Sequence, residues 1–196
     1  MANVEEARPR AGSARERLLG AAARLFYAHG MTATGIDAVT AEAGVAKMSL
    51  YNNFSSKEEL TLAYLQERHR EWLDLYRRRL EGADTPREGV LAVFDAYVDH
   101  ASAAYEHGFR GCGLLNAAAE LPAGAPGRAR VREHKEQVEA LVAGHLERIT
   151  DPDTAARTAR HCSFLLEGSM ARAGLEGAPD RLLEARAIAA ALVDAL

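Results

Sequence analysis

Residues 41–60, AEAGVAKMSLYNNFSSKEEL, hold a glycine stop, a helical segment of barely two turns and a second stop. A segment that short does not stand alone, because helix nucleation is unfavourable and only a longer run or outside packing repays it. It must therefore be braced by neighbours. At about 100° per residue, Leu50, Phe54 and Ala46 share one stripe, and this is the side expected to be buried. The opposite side centres on Asn52, with Met48 and Ser49 beside it and Lys47 and Tyr51 on one shoulder.

Upstream, Leu18, Ala22, Leu25, Phe26 and His29 recur at helical spacing from Ala14, and Gly30 supplies a stop. Thr34 with Asp37 reads as an approximate capping box for a second short helix carrying Ile36, Val39 and Ala43, which Gly44 ends. Two short helices joined at a glycine, the second presenting polar groups, fit a helix-turn-helix whose second helix enters the major groove. Asn52 has the donor and acceptor pair for an adenine edge, and Met48 suits a thymine methyl. Thr34, Lys47, Ser49, Tyr51 and Lys57 complete the expected DNA-binding set. Lys57 is further favoured by its place in the first turn of the next helix, where free N–H groups attract anions.

Downstream, Ser56 and Glu59 open a long helix from Lys57 to about Leu80, and Thr85, Pro86 and Glu88 mark the next start. Val90, Phe94, Tyr97, Val98, Ala101 and Tyr105 then share a face up to about Gly108. A short helix in LLNAAAEL follows, and a seventh carries Val131, Val138, Leu141, Val142, His145 and Ile149. The eighth opens at Asp151-Pro152 and the ninth at Pro179. No strand alternation or repeat interrupts them, so the fold class is all-α. The last two helices are apolar in several directions, through Phe164, Met170, Leu182, Ile188, Leu192 and Val193. Such a pattern needs partners on several sides, either within one chain or across a homodimer interface.

Composition narrows the function classes. The chain has 196 residues, 48% of them hydrophobic, and a net charge of −4. An acidic balance argues against indiscriminate coating of nucleic acid. Residues 1–60 carry Arg8, Arg10, Arg15, Arg17, Arg24, Lys47 and Lys57 against Glu5, Glu6, Glu16, Asp37, Glu42, Glu58 and Glu59, so any DNA contact must come from geometry. The charged opening residues do not read as a secretory signal, and no apolar run is long enough for a span, so a cytoplasmic protein without membrane contact is expected. Cys112 and Cys162 have no metal spacing and are expected as small buried residues, with a thiol sensor at Cys112 as the alternative. No two histidines lie three or four residues apart, and no metal or other cofactor is expected.

Residues 18–65, LLGAAARLFYAHGMTATGIDAVTAEAGVAKMSLYNNFSSKEELTLAYL, resemble the DNA-binding region of the TetR family of bacterial transcriptional regulators. The resemblance lies in A..LF...G...T, AGV.K, LY..F and SKEEL, and RGCGLLNAAAELP is similar to a segment in one branch of the family. The chain departs from the pattern at Gly35, where a hydroxyl residue is common, at Met48, where a small residue is usual, and at Asn53, where a histidine or tyrosine is usual.

The resemblance implies nine helices in two domains: an N-terminal arm at 1–13, expected to be disordered, a three-helix DNA-binding domain at 14–58, and a helical ligand-binding and dimerisation domain at 59–196. It also implies a homodimer on a palindromic double-stranded DNA operator, usually a repressor, released when a small-molecule effector enters the C-terminal domain. The residues expected around that ligand are Trp72, Tyr76, Phe94, Tyr97, Phe109, Cys112, Asn116, His134 and His161, with His100 and Phe164 also considered. Tyr97 and Asn116 lead the set, since an apolar cavity needs a few polar groups to orient its ligand. The competing readings are a DNA-binding activator, or an architectural helical protein without a ligand. An enzyme is not supported, because no nucleophile stands beside a base and an orienting group in a recognisable motif.

Overall fold

The computed structural model describes residues 12–103 and 108–196. Among these residues the elements are α1 (Ala14–His29), α2 (Ile36–Ala43), α3 (Lys47–Asn53), α4 (Lys57–Leu80), α5 (Pro86–Ser102), α6 (Gly113–Glu120), α7 (Pro126–Leu146), α8 (Pro152–Glu176) and α9 (Asp180–Asp194). The all-α expectation holds, with nine helices and no strand among the described residues. Two compact units divide between Tyr64 and Leu65, six residues beyond the boundary expected from sequence. Helix α4 contributes its first turns to the first unit and the rest to the second.

The first unit packs Leu18, Ala22, Phe26, Val39, Leu50, Phe54, Leu60 and Tyr64 into one core. Phe26 meets Tyr64 edge to face at 5.4 Å, and the Arg15 guanidinium lies over the Phe54 ring at 5.2 Å. Ser13, assigned by sequence to the arm, instead caps α1: its hydroxyl accepts from the Glu16 N–H while Glu16 Oε2 accepts from the Ser13 N–H. Residues 1–11 of that expected arm lie outside the described residues. Gly44, at φ +64, reverses the chain between α2 and α3 in a left-handed conformation that side chains with a Cβ adopt at a cost.

Three expectations change here. Gly35, not Thr34, is the N-cap of α2, so the Thr34/Asp37 box does not form. Ala46 is exposed at the N-cap of α3 and not on its buried stripe, because the helix begins one residue after it. Ile149 lies beyond the end of α7 and is 44% exposed.

In the second unit, α5 and α7–α9 bury Phe94, Tyr97, Val142, Leu146, Cys162, Leu166, Met170 and Leu182. The Thr85 box opens α5 as its sequence predicts, and the Asp151 carboxylate accepts from the Thr154 N–H to open α8. Arg186 binds both carboxylate oxygens of Asp95 at 2.6 and 3.0 Å, tying α9 to α5. The described part of α5 ends at Ser102, and Tyr105, expected on its inner face, lies outside the described residues. Gly111 and Gly174 let the loop before α6 approach α8 closely: a Cβ on Gly174 would come within 2.6 Å of the Gly111 backbone.

Candidate nucleic-acid interface and ligand core

Leu50 and Phe54 are 0% and 1% exposed, so the bracing expected for α3 is present. They turn its other side outward: Met48 is 70% exposed, Tyr51 47%, and Lys47 and Asn52 are exposed. Ser49 is half-buried and its carbonyl accepts from Asn53 Nδ2 at 2.7 Å. That bond occupies the Asn53 amide within the helix, while Asn52 lies on the outer ridge. Lys47 Nζ sits 2.7 Å from Asp37 Oδ1, and this hydrogen bond raises the lysine's pKa, keeping it charged.

Two members of the expected DNA-binding set differ from expectation. Thr34 is 4% exposed and its hydroxyl donates to the Gly30 carbonyl at 2.7 Å, so it fastens the exit of α1 and presents nothing to a phosphate. Lys57 is half-buried in the first turn of α4, where one of the N–H groups expected to attract an anion, that of Glu59, already has a partner. The Glu59 N–H donates to Ser56 Oγ at 3.1 Å, and the Glu59 carboxylate accepts from the Ser55 N–H and hydroxyl at 2.7 and 2.6 Å. The Ser55 bonds hold that carboxyl below its ordinary range.

In the second unit, Trp72, Tyr76, Tyr97 and His134 form one buried cluster. The Trp72 ring stacks on Tyr76 at 5.8 Å and lies 5.3 Å from Tyr97 and 5.4 Å from His134. Trp72 Nε1 is buried without a hydrogen-bond partner among the described residues. His134 Nδ1 meets His69 Nδ1 at 2.9 Å, which requires that one of the two nitrogens carry a proton and the other accept it. Burial is the main cause that pushes His134 down to about 3 and His100 down to about 4, so both are neutral near pH 7.

Beside this cluster stands an ion pair that sequence reading missed. Lys135 Nζ lies 2.9 Å from Glu167 Oε1, 3.4 Å from the Tyr97 hydroxyl and 3.7 Å from Cys112 Sγ. Burial pulls the Lys135 pKa down, but its neighbours outweigh that and the net shift is upward. Tyr97, pushed up to about 12 chiefly by burial, is neutral near pH 7, so the Glu167 carboxylate supplies the partner charge. Glu167 Oε2 is buried without a hydrogen-bond partner among the described residues. Lys135 sits in a strongly polar stretch, REHKEQ, where periodicity gives no sign that one cation turns inward. A cleft of about 300 Å³ between α7 and α8 is lined by Lys135, Arg132, Glu139 and Ser163 among others, and by none of the residues expected from sequence.

The other expected ligand residues scatter. Phe94 is wholly buried in α5, Phe109 lies 6.1 Å from the His100 ring, and Asn116 donates to the Arg110 carbonyl at 2.9 Å as a brace for its own loop. His161 is exposed and Phe164 is 69% exposed, so neither enters the cluster. The expected interface set also divides. Phe164 and Ile188 face outward and Leu192 is half-buried, but Met170, Leu182 and Val193 are 1%, 0% and 5% exposed inside the chain's own core. Their apolar character is used up within one subunit. Leu175 on α8 and Leu183 on α9, at 84% and 48% exposed, also face outward and are not in the expected set.

Residues 18–64 match the family described as bacterial regulatory proteins of the tetR family. A TetR-family transcriptional regulator from Streptomyces coelicolor is 35% identical and superposes with a TM-score of 0.81, over 92% of this chain and 94% of that one. A TetR-type regulator from Streptomyces avermitilis is 34% identical with a TM-score of 0.77, covering 94% and 98%. The HTH-type transcriptional activator FasR of Mycolicibacterium smegmatis is 36% identical over 101 residues, 52% of this chain and 44% of FasR. The chain thus spans less than half the length of the curated relatives it matches. With its helix-turn-helix unit, all-helical remainder and extended likeness to such regulators, the chain belongs to the TetR family of DNA-binding transcriptional regulators.

Proposed function

We propose that the protein is a ligand-responsive repressor that binds a palindromic operator as a homodimer and leaves it when a small molecule enters the helical unit. The observation that carries the reading is the outward ridge of Met48, Tyr51 and Asn52, backed by the buried Leu50 and Phe54. Asn52 reads an adenine edge, Met48 packs on a thymine methyl, and Lys47 and Tyr51, on one shoulder of the ridge, bind phosphates. Pairing of two such heads about one helical turn apart, roughly 34 Å, demands a symmetric dimer. The outward apolar residues Phe164, Leu175, Leu183 and Ile188 support α8 and α9 as the face on which the second copy packs.

The Trp72–Tyr97–His134 cluster supports the effector site, because its unpaired indole N–H can bond an acceptor that a ligand brings. An effector releases DNA only if it binds one arrangement of the heads better than the other. Helix α4, continuous from Lys57 to Leu80, is the covalent link through which the two units communicate.

The test begins with DNA fragments retained by the purified protein and sequenced. Recovery of an inverted repeat, with transcription from the linked promoter rising on deletion of the regulator, is the expected result. Retention of unrelated sequences, or a fall in transcription on deletion, would refute operator-specific repression.

A further inference from the structure

We propose that α2 is an acidic brake on DNA binding: Asp37 holds Lys47 in an ion pair that must open before the lysine can meet a phosphate, which suppresses sequence-independent binding. This rests on the reading that α3 lies against DNA. Helix α2, IDAVTAEA, contains two carboxylates and no cation. Each carboxylate holds a cation from a flanking helix. Asp37 Oδ1 lies 2.7 Å from Lys47 Nζ at the start of α3, and Glu42 Oε1 accepts from both Nε and Nη2 of Arg24 on α1 at 3.0 and 2.7 Å. An acidic helix therefore sits between two basic partners and neutralises one cation on each.

The consequence follows from what drives non-specific binding. Affinity for arbitrary DNA comes mainly from cations that displace counterions from phosphates, and a lysine already paired with a carboxylate contributes less. With equal numbers of acidic and basic residues in positions 1–60, no net positive charge of this segment stands behind Lys47 to compensate. Side chains of Lys47 and Asp37 are 56% and 80% exposed, so water screens their attraction. The pair is strong enough to shift weak binding and weak enough for DNA to open once base contacts add their share. What matters to a regulator is the ratio of operator to non-operator affinity, and the brake acts on that ratio. A purely structural role for Asp37, supporting the first turn of α2 through the helix dipole, predicts a change in melting temperature and none in salt dependence.

The experiment uses the full chain and a scrambled duplex of roughly 20 base pairs, about two turns, titrated by fluorescence anisotropy across a range of salt. The proteins are the parent, Asp37→Asn, Lys47→Gln and the double variant, each checked by circular dichroism. Asp37→Asn is expected to tighten scrambled-duplex binding about three- to fivefold and to steepen the salt slope by about 0.9, one phosphate contact. In the Lys47→Gln background the same substitution should gain less than about half as much. An equal gain in both backgrounds would overturn the proposal, since Asp37 would then act as a general repulsive charge and not as a partner of Lys47. No gain in the parent would overturn it too, leaving the DNA contact of α3 intact if Lys47→Gln still weakens binding. If Lys47→Gln changes nothing, the phosphate role of Lys47 falls together with the brake.

Discussion

The imidazole of His145 occupies the space where Gly89 lacks a side chain: a Cβ there would lie 2.3 Å from the ring, whose Nε2 is 2.7 Å from the Tyr76 hydroxyl. Glycine inside α5 forgoes about 1 kcal/mol of helix propensity relative to alanine, and the close seating of α7 on α5 accounts for its presence. Gly89→Ala is expected to destabilise the fold by about 1–2 kcal/mol, because overpacking of roughly 1–3 kcal/mol exceeds the propensity gain. In a His145→Ala background the sign should reverse, with alanine at 89 stabilising by up to about 1 kcal/mol. Urea melts of the four proteins would show this, and a loss of equal size in both backgrounds would contradict the packing assignment.

Asn52→Ala removes the paired donor and acceptor from the outer ridge while leaving Leu50 and Phe54 in place. Affinity for the selected operator should fall by about 1–3 kcal/mol, with scrambled-duplex binding nearly unchanged. Equal losses on the two duplexes would show that Asn52 positions the protein and reads no base. Thr34→Val should do the reverse of a phosphate contact: melting stability falls by roughly 0.5–1.5 kcal/mol and the salt slope stays as it was.

His134 links stability to pH. Its folded pKa of about 3 lies below the ordinary histidine value of 6.5, because burial disfavours the charged ring. The folded chain therefore binds fewer protons than the unfolded chain between those values. Stability is fully present above about pH 6.5 and falls as the pH drops toward the folded pKa, at up to about 1.4 kcal/mol per pH unit for this one group. Chemical denaturation at pH 7 and pH 5 should give a shallower loss in His134→Gln than in the parent. An identical pH dependence in the two proteins would mean that the ring is not held neutral.

Outward and inward apolar residues of α8 and α9 should behave differently. Phe164→Glu and Ile188→Glu, at 69% and 50% exposed positions, are expected to yield folded monomers with weakened operator binding. Leu182→Glu, at a 0% exposed position, should unfold the helical unit, since an unpaired charge has no place in a core. Sedimentation and circular dichroism separate the two outcomes, and folded dimers from both surface variants would place the interface elsewhere.

The one-dimensional sequence determined the helices and the short reading element, because those features depend on neighbours in the chain. Gly44 ends α2 whatever packs on it, the Thr85 box opens α5, and the spacing of Leu50 and Phe54 settles which side of α3 is buried. Tertiary structure decided which polar and apolar groups are already engaged. Thr34 turns to the Gly30 carbonyl, Lys135 leaves a charged helix face to meet Glu167, and Met170, Leu182 and Val193 are covered by their own chain. Periodicity reports the direction in which a side chain leaves its helix. It does not report what lies there, since residues far apart in sequence supply the partner.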